Sequence, residues 1–272
     1  MSDLRFTLVQ TRLHWEDKAA NLQMLEQCIE VAPAPLQVVV LPEMFSTGFS
    51  MNAAALAEEM DGATVAWMKR VAAEKKIILT GSIIAKEPAG GQMQYFNRLV
   101  WMLPNGQMAW YDKRHLFAYA GEDQHYTAGN KRLVASVNGW KINLQVCYDL
   151  RFPVWARQQT GVDAAGNRQP EYDVLIYVAN WPERRKHAWR TLLQARAIEN
   201  QCYVIGVNRV GNDGNDVYHS GNSMVVDAMG EILFEAEHEE LTQTITLSQE
   251  RLNEQRQRLP FLKDADSFSI TP

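Results

Sequence analysis

Short apolar segments alternate with amphipathic segments along the first part of the chain. RFTLVQT (5–11) and LQVVVLPE (36–43) are rich in branched residues and end at polar residues or proline, which is typical of strands. Between them, DKAANLQMLEQCIEVA (17–32) repeats its apolar residues every three to four positions, as an amphipathic helix does. A helix between two strands predicts a crossover connection, and therefore parallel neighbours in one sheet.

Later segments add antiparallel pairing. YFNRLVWML (95–103) and QMAWYDK (107–113) have the composition of strands, and the PNG between them predicts a hairpin. Strand and helix patterns alternate again from KINLQVCYD (141–149) to CYVIGVNRVG (202–211). The sequence therefore predicts an α/β fold with mixed sheets covered by helices. No segment has the composition and length of a linker between domains, so we expect one globular domain.

Composition excludes several classes of protein. Hydrophobic residues make up 46% of the 272 residues, which is enough for a large core, and the formal charge of -5 argues against a nucleic-acid surface. Three widely spaced cysteines form neither a disulfide framework nor a zinc-ligand pattern, so we expect no metal and no cofactor. The N-terminal segment lacks the pattern of a signal peptide, and no apolar run reaches membrane-span length. We therefore predict a cytoplasmic protein without membrane association.

Three residues with reactive side chains lie where predicted strands end. Glu43 stands at the end of the strand predicted in QVVVLPEMF. Lys113 ends the strand predicted in MAWYDKRHLF, and Cys147 ends the one predicted in KINLQVCYD. Reactive groups collect at the carboxyl ends of strands in α/β sheets. If the third strand continues through position 147, the thiol lies on its polar face, opposite the aliphatic residues. Each residue alone is more often structural, but together they can perform one reaction.

A cysteine thiol is mostly protonated at neutral pH and needs a base or a nearby cation to become a good nucleophile. The sequence offers no convincing histidine base beside Cys147. Glu43 is a candidate acceptor for the thiol proton, and Lys113 is a candidate cation for the thiolate and for an oxyanion. These residues predict nucleophilic catalysis with a carboxylate base.

Three motifs resemble those of the carbon–nitrogen hydrolases, the nitrilase superfamily. LPEMFSTGF, YDKRHLF and QVCYDLRFP match its Glu, Lys and Cys motifs in order and in separation, and the similarity covers nearly the whole chain. The resemblance implies a four-layer α-β-β-α sandwich with mixed sheets. It implies one hydrolase domain over residues 1–272, in which 250–272 form a C-terminal tail that docks on the core or on a partner. It also implies a homo-oligomer, most simply a dimer.

The same resemblance implies roles for five residues. Cys147 attacks an amide carbonyl and forms a thioester, while Glu43 accepts the thiol proton and later activates water. Lys113 and the backbone N–H of Tyr148 hold the oxyanion. Glu122 corresponds to a second glutamate that positions Lys113, assists proton transfer or shapes the pocket.

Residues after the nucleophile have supporting roles. Asp149 and Arg151 are expected to stabilise its turn by a salt bridge or by hydrogen bonds. A direct contact between Arg151 and the substrate is the less favoured alternative. His115 is assigned no role, because its spacing to other histidines fits no site.

Within the family, the chain is most similar to omega-amidases, which hydrolyse 2-oxoglutaramate and also accept 2-oxosuccinamate. The partners implied are therefore a small amide substrate and water. Arg184, Arg185 and Lys186 are candidate anchors for the substrate carboxylate, although adjacent cations are more often a solvated charge run. The expected pocket walls are Phe45, Phe49, Asn180, Trp181 and Trp189.

Other functions remain open at the level of sequence. Other small-molecule amidases, N-carbamoyl-amine hydrolases and nitrilases carry the same three motifs. A protein of a different class, a catalytically silent scaffold, is also compatible with this fold. The intact set of acid, cation and thiol argues against the scaffold.

Overall fold

The computed structural model describes residues 3–159, 161–162 and 168–271. Within these ranges, strands form two large mixed sheets and one short hairpin. The first sheet contains β1 (Leu4–Gln10), β2 (Val38–Val40), β3 (Ile78–Ala89), β4 (Gln92–Met102), β5 (Met108–Asp112) and β15 (Leu241–Leu247). The second contains β6 (Val134–Val137), β7 (Trp140–Val146), β10 (Val174–Ala179), β11 (Tyr203–Asn208), β12 (Val210–Asn212), β13 (Tyr218–Val226) and β14 (Ile232–Glu237). The hairpin consists of β8 (Gly161–Val162) and β9 (Arg168–Gln169).

Helices lie between and after these strands. The α-helices are α1 (Lys18–Glu30), α2 (Ala53–Leu56), α3 (Ala63–Lys75), α4 (Glu122–His125), α5 (Pro153–Ala156), α6 (Lys186–Asn200) and α7 (Gln249–Arg258). The 3₁₀ helices span Ala118–Ala120, Cys147–Arg151, Glu183–Arg185 and Phe261–Asp264. In the described part of the chain, no helix combines the length and apolar character that crossing a bilayer requires.

Both sheets combine parallel and antiparallel pairs, as the sequence pattern predicts. The first sheet has the order β15-β1-β2-β3-β4-β5, in which β1, β2 and β3 are parallel neighbours. The hairpin predicted at PNG joins β4 to β5. The second sheet has the order β12-β13-β11-β10-β7-β6, with β14 beside β13, and its central strands β7, β10 and β11 are parallel.

Side-chain alternation divides the first sheet between two apolar layers. Leu4, Phe6 and Leu8 of β1 join a core shared with the second sheet, whereas Val9 packs among residues of α1 and α3. Successive side chains of a strand point to opposite faces, so the two clusters lie on opposite sides of the sheet. The helices α1 and α3 therefore cover the outer face.

The outer face of the second sheet is covered by α6. A Cβ atom at Gly206 of β11 would lie 2.6 Å from Leu193 Cδ1 and 2.7 Å from Trp189 Cζ2, so the glycine allows α6 to approach the strand closely. The layers thus run α1 and α3, first sheet, second sheet, α6. This order confirms the predicted α-β-β-α sandwich.

The C-terminal residues contact the second half of the chain. Residues 249–258 form α7, and the guanidinium of Arg256 donates to Asp173 Oδ1 at 2.7 Å and to the carbonyl of Tyr172 at 2.9 Å. Leu262 is buried beyond the helix. The domain limits 1–272 and the tail 250–272 stay predictions, and residues 1–2, 160, 163–167 and 272 lie outside the described residues.

Gly129 packs against the end of β5, next to Asp112 and Lys113. Its N–H donates to the Lys113 carbonyl at 2.9 Å, and a Cβ atom here would lie 2.0 Å from the backbone oxygen of Asp112. We expect Gly129→Ala to lower the free energy of unfolding by about 1–3 kcal/mol, because the clash is with backbone. Denaturant unfolding measures the change.

Gly161→Ala is the matched control, since no atom of the described residues lies within 4 Å of the added Cβ. Its free energy of unfolding should stay within about 0.5 kcal/mol of wild type. Equal stability of the two variants would contradict the packing described at β5.

Candidate active site

Glu43 lies in a rigid loop rather than at a strand end. Strand β2 stops at Val40, and Glu43 follows three residues later. The loop is held against β3 because the N–H of Met44 donates to Ser82 Oγ at 2.8 Å and the N–H of Phe45 donates to the Ser82 carbonyl at 3.0 Å. The Glu43 side chain is completely buried.

Lys113 directly follows β5, and its ammonium group lies between two carboxylates. Its Nζ donates to Glu43 Oε1 at 2.9 Å and to Glu122 Oε1 and Oε2 at 3.0 and 2.8 Å. All three side chains are buried. The structure thus brings Glu122 into direct contact with the lysine of the predicted set.

Asn97 of β4 completes this network. Its Nδ2 donates to Glu43 Oε1 at 2.7 Å and to Glu122 Oε1 at 3.1 Å. Sequence reasoning missed this residue. A signal was present, since Asn97 alternates in phase with the apolar residues Leu99 and Trp101 of the same strand and is therefore a polar residue on a core-facing side.

Asn180 connects Glu43 to the second sheet. The asparagine follows β10, and its N–H donates to Glu43 Oε2 at 2.8 Å while its Nδ2 donates to the Glu43 carbonyl at 2.6 Å. Both carboxylate oxygens of Glu43 therefore accept hydrogen bonds. The carboxylate is fixed by groups from both sheets.

Cys147 begins a 3₁₀ helix and does not continue the strand. Strand β7 ends at Val146, and Cys147 has a φ angle of 43°, in the left-handed region that non-glycine residues rarely adopt. The condition under which the thiol would lie on the polar face of the strand is therefore not met, since the strand stops before position 147. The Cys147 Sγ lies 4.0 Å from the carbonyl oxygen of Asn180.

Asp149 stabilises this strained turn. Its carboxylate accepts hydrogen bonds from the Tyr111 hydroxyl at 2.8 Å, the His115 N–H at 2.9 Å and the Val146 N–H at 3.1 Å. His115 Nδ1 also donates to it at 2.8 Å. The supporting role predicted for Asp149 is confirmed, but its partners are Tyr111 and His115. Arg151 instead lies with its Cζ 4.9 Å from the ring of Trp181.

Charge and burial set the protonation of the central groups. Burial alone would lower the pKa of Lys113, but Glu122 and Glu43 outweigh it and raise the pKa, so the ammonium stays charged. Burial and the Glu43 carboxylate raise the pKa of Cys147 well above its usual range, against the opposing effect of Lys113. Burial likewise raises the pKa of Glu122, with Lys113 opposing. At neutral pH the thiol is therefore protonated, near the Glu43 carboxylate that helps to raise its pKa.

Glu43, Lys113 and Cys147 together can transfer a proton and form a covalent bond within a single site. A thiol beside a fixed carboxylate can lose its proton as it attacks an electrophile, and a fixed ammonium can stabilise the negative charge that develops. Within residues 3–159, 161–162 and 168–271, no group of His, Cys, Asp and Glu side chains is arranged to hold a metal ion.

The pocket over Cys147 contains most, but not all, of the predicted wall residues. The predicted wall residues Phe49, Asn180 and Trp181 line it, together with Lys113 and Tyr148, to which other roles were assigned. Further lining residues, which sequence reasoning did not assign to the walls, include Phe117, Tyr119, Pro182, Val217 and His219.

Phe45 and Trp189 are core residues rather than pocket walls. Phe45 packs beside Trp67, with ring centroids 6.0 Å apart, on the outer face of the first sheet. Trp189 lies next to Trp181 at 5.4 Å, and its Nε1 donates to the Asn222 carbonyl at 2.8 Å. Their proximity to the motifs in sequence did not determine which way their rings point.

Comparison with known proteins gives consistent matches over the full length. The family model described as carbon-nitrogen hydrolase matches residues 5–257. Omega-amidase YafV from Yersinia enterocolitica is 45% identical over 99% of this chain and 100% of its own. The 2-oxoglutaramate amidase of Bacillus subtilis is 30% identical over 94% of this chain and 95% of its own. The crystal structure of XC1258 from Xanthomonas campestris, which carries an arsenic adduct in its active site, has a TM-score of 0.93 and 44% identity and covers 100% of both chains.

Glu43→Gln should make the Cys147 thiol more acidic. The substitution removes a carboxylate that raises the thiol pKa and leaves the Lys113 ammonium that lowers it. We therefore expect the midpoint of iodoacetamide alkylation at Cys147, followed by peptide mass spectrometry across pH, to move to lower pH. Glu74→Gln, an exposed change on α3, is the control and should leave the midpoint unchanged. A midpoint that stays or rises in Glu43→Gln would contradict the electrostatics described.

Proposed function

The chain belongs to the carbon–nitrogen hydrolase family, and on this premise we propose that it is an omega-amidase acting on short oxo-dicarboxylate monoamides. The proposed reaction converts 2-oxoglutaramate and water to 2-oxoglutarate and ammonia, with 2-oxosuccinamate as a shorter substrate. The observation that carries the proposal is the buried Cys147 thiol, whose pKa is raised by the nearby Glu43 carboxylate, together with the Lys113 ammonium that holds this carboxylate at 2.9 Å. Full-length similarity to omega-amidase and 2-oxoglutaramate amidase supports the choice of substrate.

The first half of the reaction forms the thioester. Cys147 Sγ bonds to the amide carbonyl carbon while the thiol proton passes to Glu43, and the π electrons of the carbonyl move to its oxygen. The Lys113 ammonium and the N–H of Tyr148 hold this oxyanion. Because the pKa of the resting thiol is raised, proton transfer to Glu43 has to accompany the attack.

Collapse of the tetrahedral intermediate releases ammonia. The oxyanion electrons re-form the carbonyl, the carbon–nitrogen bond breaks, and Glu43 returns its proton to the leaving nitrogen. Glu43 then takes a proton from water, whose oxygen attacks the thioester carbon. When the carbon–sulfur bond breaks, the proton returns to the Cys147 sulfur and the carboxylic acid product leaves. This sequence uses no cofactor.

Glu122 acts through Lys113 in this scheme. Both carboxylate oxygens of Glu122 accept hydrogen bonds from Lys113 Nζ. The Oε2 atom of Glu122 also accepts one from the N–H of Phe117 at 2.6 Å. Held in this way, Glu122 fixes the position of the ammonium. Lys113 can then support the oxyanion without moving away from Glu43.

We also propose that the chain forms a homodimer. Support comes from three exposed apolar side chains, Val154, Phe261 and Phe268, which line one groove formed by α5 and the C-terminal residues. The cytoplasmic location stays a prediction.

Ammonia release from 2-oxoglutaramate tests the proposed activity directly. We expect this substrate to be preferred over simple amides, N-carbamoyl amines and nitriles. Cys147→Ala should reduce ammonia release to background, and Glu43→Gln should lower kcat by about 10²–10⁴-fold because the base is lost. Cys28→Ala is the matched control and should keep wild-type activity, since Cys28 lies on α1, away from the pocket lining.

Two results would contradict the proposal in different ways. Cys147-dependent hydrolysis of a carbamoyl amine or a nitrile in preference to 2-oxoglutaramate would replace the substrate and keep the mechanism. Release of ammonia that survives in Cys147→Ala would remove the mechanism itself.

A further inference from the structure

The pocket over Cys147 carries more positive charge than the chemistry of the thiol requires. Besides Lys113, it is lined by Arg151, Arg184 and Arg185. Asp213 is the one acidic residue among its lining residues in the described ranges. Asp213 Oδ1 accepts two backbone N–H groups of its own turn, at 2.8 and 3.0 Å. The excess of cations makes the pocket suitable for an anionic ligand.

Arg151 and Arg185 have no side-chain acceptor among the residues that the structure describes. Neither Arg151 nor Arg185 donates its guanidinium N–H groups to a carboxylate or carbonyl among the described residues. The neighbouring cations of the same segment differ in this respect. Lys186 pairs with Glu237 at 3.4 Å, and Arg190 pairs with a glutamate at 3.0 Å. The unpaired guanidiniums are therefore a property of the pocket and not of the segment as a whole.

Aromatic rings hold both guanidiniums in place. The Cζ of Arg151 lies 4.9 Å from the centre of the Trp181 ring, and that of Arg185 lies 5.1 Å from the centre of the Phe117 ring. A guanidinium over a ring face keeps its in-plane N–H groups available for a ligand. Such a fork matches the geometry of a carboxylate.

The backbone that carries Arg185 is also fixed. Trp181 Nε1 donates to the carbonyl of Arg185 at 2.9 Å, and the N–H of Arg185 donates to the carbonyl of Pro182 at 3.0 Å. Burial and the charges of Arg184 and Arg151 lower the pKa of Arg185, so an anion bound between the arginines would offset their mutual repulsion.

Spacing along the chain relates these arginines to the thiol. Arg151 ends the 3₁₀ helix that Cys147 begins, which separates the two residues by roughly 8 Å along the helix axis. Arg185 follows five residues after Asn180, whose carbonyl lies 4.0 Å from the sulfur. A ligand that reaches from the thiol to the arginines therefore needs only a short chain.

We propose that Arg151 and Arg185, the arginine pair, bind the distal carboxylate of the substrate while Cys147 reacts with its amide end. The site then selects monoamides of short dicarboxylic acids over neutral amides. This inference rests on the proposed amidase function for its substrate. Of the three adjacent cations considered from the sequence, Arg184 is exposed and Lys186 is paired, so Arg185 is the anchor, joined by Arg151.

Kinetics of matched variants give the first test. Arg185→Gln and Arg151→Gln should each lower kcat/KM for 2-oxoglutaramate by about 10- to 100-fold, mainly through KM, because a charge-assisted hydrogen bond is lost. Arg185→Lys should recover part of this loss. Arg190→Gln is the matched control, an exposed arginine of α6 that pairs with Glu235 and lies outside the pocket lining, and it should leave kcat/KM unchanged.

Protection of the thiol gives a second test that needs no turnover. In wild type and in Arg190→Gln, 2-oxoglutarate should slow the alkylation of Cys147 by iodoacetamide, since the bound dicarboxylate covers the sulfur. In Arg185→Gln and Arg151→Gln, protection should require at least tenfold more 2-oxoglutarate. Circular dichroism and thermal unfolding confirm that each variant folds.

The outcomes separate this inference from the proposed function. If wild type hydrolyses 2-oxoglutaramate, but the arginine-pair variants have the wild-type KM and are protected by 2-oxoglutarate as wild type is, the role of the arginine pair is overturned. The amidase function then stands. If wild type releases no ammonia from any amide but arginine-dependent protection occurs, the carboxylate site stands and the amidase is overturned.

Discussion

The site depends on one buried ammonium group. Lys113 is fully enclosed, and its Nζ contacts the carboxylates of Glu43 and Glu122 at 2.8 to 3.0 Å. An isolated buried charge costs several kcal/mol, so removing either carboxylate would leave a charge poorly compensated. Asn97 links the two carboxylates, and Asn180 connects Glu43 to the second sheet. Because Glu43 compensates the charge of Lys113, its carboxylate is held in a fixed position near the Cys147 thiol.

This arrangement favours activation by proton transfer over a preformed thiolate. Thiols paired with a protonated histidine or a helix N-terminus have depressed pKa values and react as resting anions. Here, burial and the Glu43 carboxylate raise the pKa of Cys147, so the resting nucleophile is neutral. A neutral buried thiol reacts slowly with general electrophiles. It becomes nucleophilic only when a bound carbonyl lets the proton move to Glu43 as the carbon–sulfur bond forms.

Much of the fold was predictable because local periodicity determines it. The hairpin at PNG, the crossover through α1 and the alternation along β7 all follow from spacing and turn residues. The three motif residues were identified because a thiol without a histidine base requires another proton acceptor. The contact between Lys113 and Glu122 follows the predicted grouping.

Other features depend on tertiary contacts that no local pattern records. Phe45 and Trp189 lie near the motifs in sequence, but packing turns one toward α3 and the other into the core beneath Trp181. The positive φ of Cys147 depends on Asp149, whose partner Tyr111 is distant in sequence. Sequence alone also indicates a structural role for Arg151, since the absence of an acceptor for its guanidinium among the described residues appears only in three dimensions.

The most direct measurement of the central chemistry is hydroxylamine trapping during hydrolysis of glutaramate, the analogue of 2-oxoglutaramate without the keto group that hydroxylamine would convert to an oxime. Hydroxylamine competes with water for a thioester, so a covalent intermediate on Cys147 partitions to a hydroxamate. We predict that hydroxamate forms in proportion to hydroxylamine concentration, that ammonia is still released, and that both products disappear in Cys147→Ala. Ammonia release at the normal rate with no enzyme-dependent hydroxamate would show that water attacks the amide directly, and the thiol would then have no covalent role.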